Sequence, residues 1–446
     1  MTTQTAPKTA SETAPRTAPE TKTGTTGKAP GPAPSPEAYP EADPAGRGSR
    51  RHSVGFWLIA AVFLTSMAFS TVPTPLYPLY QRRDGFSTFT ITVVFAVYAV
   101  GVVASLMLAG HISDWVGRKR VLIPALALEA VAAVLFLSWP ALPGLIVARF
   151  VTGLGVGMIT ATATAHLHEL HAAGRPGAGR GRFEVVSTAA NIGGLGVGPL
   201  VAGFLAQFVT EPLRTPYLVF AILLLLGIVA VAAAPETVEE LPQRPAWRPQ
   251  TVSVPSGGRT GYLAAVVSAF SAFAVFGMFS SLAPAFVAGP LHHPSRLLAG
   301  VVVFMVFGTA ALAQSATTRM TAGIRLAVGL LGEAAGLVVL AAGMERADLA
   351  AFLAGGALAG AGAGVLFKSA IGTVIAKSAP AQRGSALAGL FLIAYLGLIV
   401  PVVGLGVATR SLPVTTAMLW FTGALLAVMT GAAALAGTAR RTAAGA

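Results

Sequence analysis

The chain has 446 residues, 54% of them hydrophobic and 11% charged, with a mean hydropathy of +0.72 and a formal net charge of +13. Soluble domains carry about 25% charged residues, so a chain this apolar cannot cover its surface against water and needs lipid as solvent. It has no cysteine, which excludes disulfides and thiol chemistry, and its Lys and Arg lie between apolar runs rather than on one face, which speaks against nucleic acid as a partner.

Residues 1–52 are rich in Thr, Ala, Pro and Gly, with no apolar run. That composition cannot bury enough surface to fold, and it predicts a disordered tail. The first apolar run starts near Val54, too late for a secretory signal. A helix needs about 20 apolar residues to cross the hydrocarbon core. Twelve runs qualify, near 54–80, 88–112, 120–139, 142–167, 183–208, 216–234, 261–288, 297–317, 325–344, 349–376, 384–409 and 413–437. The breaks carry turn or charge signals such as Gln81–Asp84, Trp139-Pro140 and His292-His293-Pro294. The expected organisation is a tail over 1–52, a six-helix bundle over 53–234, a linker over 235–260 with five prolines, a second bundle over 261–437, and a tail over 438–446. The fold class is all-α, with twelve transmembrane helices in two pseudo-symmetric bundles.

In chain order, Pro73, Pro75 and Pro78 must loosen the outer end of the first span, with Tyr77 beside them. Between the second and third spans lies a dense charged loop, Gly110-His-Ile-Ser-Asp114-Trp-Val-Gly117-Arg118-Lys119-Arg120. Its glycines permit tight turning, and Asp114 can pair with Arg118 one helical turn on and can also interact with the positive start of a neighbouring helix. Arg149 lies inside the fourth span, where a charge must face protein or water; it can contact substrate, or satisfy carbonyls of the first span. His166, His168 and His171, with Glu169, end that span as a solvated helix end rather than a metal cluster. Gly194, Gly198 and Gly203 around Pro199 let the fifth span touch its neighbours, while Pro199 frees a backbone carbonyl. Phe276 in the seventh span, Phe367 in the tenth and Tyr395 in the eleventh are candidates for an apolar pocket. Lys368 sits well inside the tenth span without an acidic neighbour in sequence and is a candidate for titration. Glu129 and Glu333 occupy matching places in the third and ninth spans. No nucleophile–base or metal-ligand set appears within the spans, so neither an enzyme nor a bound cofactor or metal is expected.

The halves echo each other at offsets of about 201 to 210 residues: Phe69-Ser-Thr-Val with Phe279-Ser-Ser-Leu, Gly153-Leu-Gly-Val-Gly with Gly360-Ala-Gly-Ala-Gly, and Arg182 and Pro199 with Arg383 and Pro401. Orientation follows from charge. If the amino terminus is inside, 22 of the 30 Lys and Arg face the cytoplasm, 6 face outward and 2 lie within spans; both termini and the linker are therefore expected to be cytoplasmic.

The pattern of residues 110–120 resembles the loop between helices 2 and 3 of major facilitator superfamily transporters. Arg149 to Gly157 resembles that family's helix 4 motif, and Gly198-Pro199-x-x-x-Gly203 resembles the helix 5 motif of its antiporters. The Pro73–Pro78 segment resembles the first helix of twelve-helix drug exporters. The resemblance spans about residues 54–437. It implies that Gly110, Asp114, Gly117, Arg118, Lys119 and Arg120 latch one side closed, that helices 1, 4, 7 and 10 line a cavity, and that helices 3 and 9 lie at the periphery. Pro75 and Tyr77 then join Phe276, Phe367 and Tyr395 as cavity candidates, and Arg149, Lys368 and Glu129 are candidates for proton coupling or substrate contact, with His166 a further proton candidate. The implied function is proton-coupled efflux of small amphipathic molecules by a monomer in a bacterial cytoplasmic membrane. Arg149 and Lys368 make the cavity positive in this reading, which favours neutral or anionic cargo. The alternative is a dedicated metabolite carrier, importing or exporting, on the same fold.

Overall fold

Within lipid every backbone N–H and C=O must find its partner inside the chain, and a helix achieves this within one segment. The computed structural model describes residues 45–109, 112–238, 247–255 and 258–444, and among them the regular structure is helical throughout. Gly110 and residues 1–44 of the tail expected over 1–52 lie outside the described residues; residues 45–52, expected to be disordered, are instead helical, the start of the helix Ala45–Thr71. Twelve helices are long and apolar enough to cross a membrane: α1 (Arg50–Asp84), α2 (Thr88–Ala109), α3 (Lys119–Ser138), α4 (Leu142–Gly174), α5 (Gly181–Phe208), α6 (Thr215–Ala233), α7 (Arg259–Ser281), α8 (Arg296–Ala316), α9 (Ala322–Glu345), α10 (Leu349–Lys377), α11 (Arg383–Ala408) and α12 (Val414–Ala439).

Three departures from the sequence expectation have local causes. In α1 the prolines open the helix into a tight turn at Thr74–Leu76 before it resumes at Tyr77. The seventh run stops at Ser281 and restarts as a separate helix, Ala283–Ala288, with Pro284 in its first turn, a position where a missing N–H costs nothing. Helix α4 continues to Gly174 instead of ending near residue 167, because His166, Glu169 and His171 each find partners there.

Helices pack closely where glycines face a neighbouring backbone. A Cβ on Gly153 would sit 2.1 Å from the carbonyl of Tyr98, joining α4 to α2, and one on Gly336 would sit 2.1 Å from the amide of Ala359, joining α9 to α10. Between the halves, α5 packs on α8 and α2 on α11. At the end where α1 starts and α12 stops, residues 247–255 run as a strap. Trp247 Nε1 donates to Leu108 O (3.0 Å), Gln250 N to Met107 O (2.8 Å), and Ser253 N to Ser385 O (3.2 Å). The strap thus ties α2 to the start of α11. At the opposite end, Arg296 Nη1 donates to Ala206 O (2.7 Å) and the Arg410 guanidinium stacks over Phe89 at 5.1 Å.

Candidate functional site

The charged loop is an ion network built around one buried guanidinium. Ser113–Val116 forms a single turn, Gly117 turns the chain at φ +104°, and α3 starts at Lys119. A side chain at Gly117 would be strained at that angle. Arg118 is 6% exposed. Its Nη1 donates to Asp114 Oδ1 (2.5 Å) and Ser113 Oγ (2.7 Å), and its Nη2 and Nε donate to Glu169 on α4 (2.6 and 3.1 Å). Thr237 Oγ1 also donates to Glu169 (2.5 Å).

The sequence reading missed Glu236, which had been absorbed into the linker. Its carboxylate accepts from the backbone N–H groups of Arg118 and Lys119, both at 3.0 Å. It therefore satisfies two of the orphan donors at the start of α3 and meets the positive end of that helix. This is the role allowed above for Asp114, which instead pairs with Arg118 and stays largely exposed. Partial burial pushes the Glu236 carboxyl up, but the amides of Lys119, Arg118, Thr237 and Val238 outweigh that and hold it below its ordinary 4.5. Lys119 Nζ caps Ala232 O at 2.6 Å, so loop and α6 end are fastened together. The signal available in sequence was a lone Pro235-Glu236-Thr237 directly after an apolar span.

The glycines of α5 divide between two partners. Cβ atoms on Gly194 and Gly198 would strike α1, the second at 1.9 Å from Ala68 O, whereas one on Gly203 would lie 2.6 Å from Arg296 O and 3.2 Å from Gly300 on α8. Gly203 thus sits at the seam between halves. Pro199 cannot donate to the carbonyl of Leu195, four residues earlier. Thr71 of α1 supplies the replacement, its Oγ1 donating to Leu195 O at 3.0 Å.

A central cavity of about 80 Å³ of water-accessible space lies between the halves. The first half contributes Met67, Thr71, Phe95, Tyr98, Val156, Thr160, Asn191, Ile192 and Leu195; the second contributes Phe273, Phe276, Ser280, Phe307, Phe367, Phe391, Tyr395 and Leu398. Its walls are aromatic: Phe276 stacks on Phe307 (4.9 Å), and Phe273 meets Phe367 (4.9 Å) and Tyr395 (5.3 Å) edge-on. Of the five cavity candidates, Phe276, Phe367 and Tyr395 lie in this lining. Pro75 and Tyr77 do not, because the prolines carry that turn away toward the end of the bundle.

The expected positive cavity is corrected, since no charged side chain lines it among the described residues. Arg149 is 1% exposed and donates through Nη1 to Ser70 O of α1 (2.6 Å), with Tyr98 across its face at 4.3 Å. A guanidinium at this depth is held by carbonyl and ring because no water reaches it. Lys368 turns to α8, donating to Gln314 O (2.8 Å) and Thr318 Oγ1 (2.7 Å), with Glu184 of α5 at 3.9 Å. Sequence distance had hidden that acid.

Glu129 and Glu333 point into the bundle although α3 and α9 were expected at its periphery. Both are fully buried. Ser66 of α1 donates to Glu129 at 2.7 Å, and Ser271 of α7 donates to Glu333. The second oxygen of each carboxyl has no partner among the described residues. His166 meets Pro235 O (3.0 Å), His171 meets Gly179 O (3.3 Å), and His168 packs on Phe183.

Twelve spanning helices in two related halves around a central cavity define a multi-pass membrane protein of the secondary-transport class. Residues 58–327, more than half of the chain, match the Major Facilitator Superfamily, and the chain belongs to that family. No curated protein matches by sequence. Among solved structures, the human organic anion transporter MFSD10 (TETRAN) is similar over 85% of this chain and 99% of its own, at 17% identity and a TM-score of 0.61. A POT family transporter in complex with 5-aminolevulinic acid is similar over 87% of this chain and 96% of its own, at 11% identity and a TM-score of 0.68. These likenesses show the shared fold.

Proposed function

We propose that this transporter exports small amphipathic molecules in exchange for protons, rocking its halves about the central cavity. The observation that carries this reading is the cavity itself: eight aromatic side chains and no charged one, set between the halves. Such a surface accepts apolar bodies of varied shape and favours uncharged cargo. The anionic cargo inferred from sequence loses its support with Arg149 and Lys368 outside the lining. The antiport direction rests on the Gly198-Pro199-x-x-x-Gly203 motif. We assign the exchanged proton to Glu129, a proton candidate from the sequence, which has one carboxyl oxygen held by Ser66 and the other unpaired; Glu333 shares that geometry in the second half. The charge bias of the loops supports placing the Arg118 network and the strap on the cytoplasmic side.

Proteoliposomes with an imposed pH gradient test the proposal. Adding neutral amphiphiles should drive protons from an acidic lumen, and Glu129→Gln should abolish that flux. A response to cations alone would overturn the cargo assignment. Silence across neutral, anionic and cationic compounds would leave the dedicated metabolite carrier as the better reading.

A further inference from the structure

The polar groups of the cavity fall into two sets. The hydroxyl of Thr71 is spent on Ala68 O and Leu195 O, that of Thr160 donates to Val156 O, and that of Tyr98 pairs with the Ser70 side chain. In contrast, the Asn191 carboxamide, the Ser280 hydroxyl and the Tyr395 hydroxyl line the cavity without a hydrogen-bond partner among the described residues. Polar groups left open in an apolar wall are costly unless something completes them. They come from both halves: Asn191 from α5, Ser280 from α7 and Tyr395 from α11.

The backbone shows how Asn191 reaches the cavity. Residues Ala189–Gly193 form one π-helical turn inside α5. Such a turn inserts a residue into the α-helical repeat, rotates the later turns of the helix about its axis, and recurs at functional sites. Here it presents Asn191, Ile192 and Leu195 to the cavity while Gly194 and Gly198 stay against α1.

We propose that Asn191, assisted by Ser280 and Tyr395, is the recognition set of this cavity, and that it selects an uncharged planar aromatic molecule carrying an amide-like donor–acceptor pair. The inference rests on the reading that the cavity is the transport site. A carboxamide offers both a carbonyl acceptor and N–H donors, so a lactam or amide edge can satisfy it at two points. The surrounding rings supply stacking faces for a flat body. A charged ligand would shed its hydration without meeting an opposite charge. The cavity has about 80 Å³ of water-accessible space, and a two-ring molecule enters as the halves part.

The test is equilibrium dialysis of the purified full-length protein in detergent against four two-ring compounds: 2-quinolinone, a neutral lactam; naphthalene, which lacks polar groups; 2-naphthoate, an anion; and N-methylquinolinium, a cation. Wild type should bind 2-quinolinone most tightly. Asn191→Leu should weaken that binding about tenfold and leave naphthalene within about twofold. Ser280→Ala should weaken 2-quinolinone about threefold, which keeps the test open should Asn191→Leu fail to fold. An unchanged preference in both variants overturns the proposal, as does parallel loss of naphthalene or a wild type that favours either ion. Proton flux in proteoliposomes separates the two readings. Flux driven equally in wild type and Asn191→Leu removes the recognition set and keeps transport. Asn191-dependent binding of 2-quinolinone, with no compound driving flux, removes the transport reading and keeps the recognition set.

Discussion

The two halves agree deep in the bundle and differ at its ends. In the first, Ser66 of α1 holds Glu129 of α3 above Gly155 of α4; in the second, Ser271 of α7 holds Glu333 of α9 beside Gly362 of α10. Their loops do not match. The loop before α3 buries Arg118 among Asp114, Glu169 and Ser113, with Glu236 capping the helix. The loop before α9 has Arg319 but no acid, and Arg325, in the first turn of α9, donates to the carbonyl of Met320 (2.7 Å). Packing inside a span must be repeated because an unsatisfied group in lipid is costly in either half. A loop end in contact with water is free to diverge, and an ion network on one side can bias an equilibrium between conformations without loosening either bundle.

The largest test of this contrast is Arg118→Ala. It removes the donor shared by Asp114 and Glu169 and should lower stability by about 2 kcal/mol, with transport falling more than about tenfold. Arg319→Ala, exposed in the opposite loop, should stay within about 0.5 kcal/mol. Thermal unfolding and flux assays on both variants check this, and equal losses would break the asymmetry. Gly203→Ala comes next. Its Cβ would meet Arg296 O at 2.6 Å and should cost about 1–3 kcal/mol, whereas Gly404, three residues after Pro401 in α11, faces open space, so Gly404→Ala should be neutral or slightly stabilising. Melting temperatures that fall together would show that Gly404 is packed after all.

The symmetric pair gives the opposite expectation. Ser66→Ala and Ser271→Ala should each cost about 1 kcal/mol, and by similar amounts. Glu333→Gln should spare the proton flux that Glu129→Gln abolishes; flux lost in both would extend proton binding to the second half.

The smallest effect is a pH dependence. The Glu236 carboxyl is held below its ordinary 4.5 in the folded chain, so the unfolded chain binds its proton first as pH falls. The stability it contributes is present above about 4.5 and is lost as pH drops through the lower folded value. Glu236→Gln should flatten that part of an acid-melting curve by a few degrees at most. A wild-type curve already flat between pH 5 and 3 (about the span in which free carboxyls titrate) would remove Glu236 as a cap.

The twelve spans, the all-helical class and the family were legible because each rests on a one-dimensional quantity: apolar length, charge between spans, or a local motif. The Asp114–Arg118 pair was legible for the same reason, being four residues apart. What required the tertiary structure lay far apart in sequence. Glu236 reaches α3 from a segment read as linker, Glu184 approaches Lys368, and Ser66 finds Glu129. Arg149 was rightly placed within a span, yet its side chain turns to Ser70 and Tyr98 rather than into the cavity. Asn191 was invisible because a π-turn shifts the face each residue presents, and a regular helical period cannot anticipate it. The sequence determined that this chain must cross a membrane and where, since hydration cost adds residue by residue along a helix. The tertiary structure alone decided which polar groups are satisfied and which stay open to a ligand, since that depends on neighbours supplied by other helices.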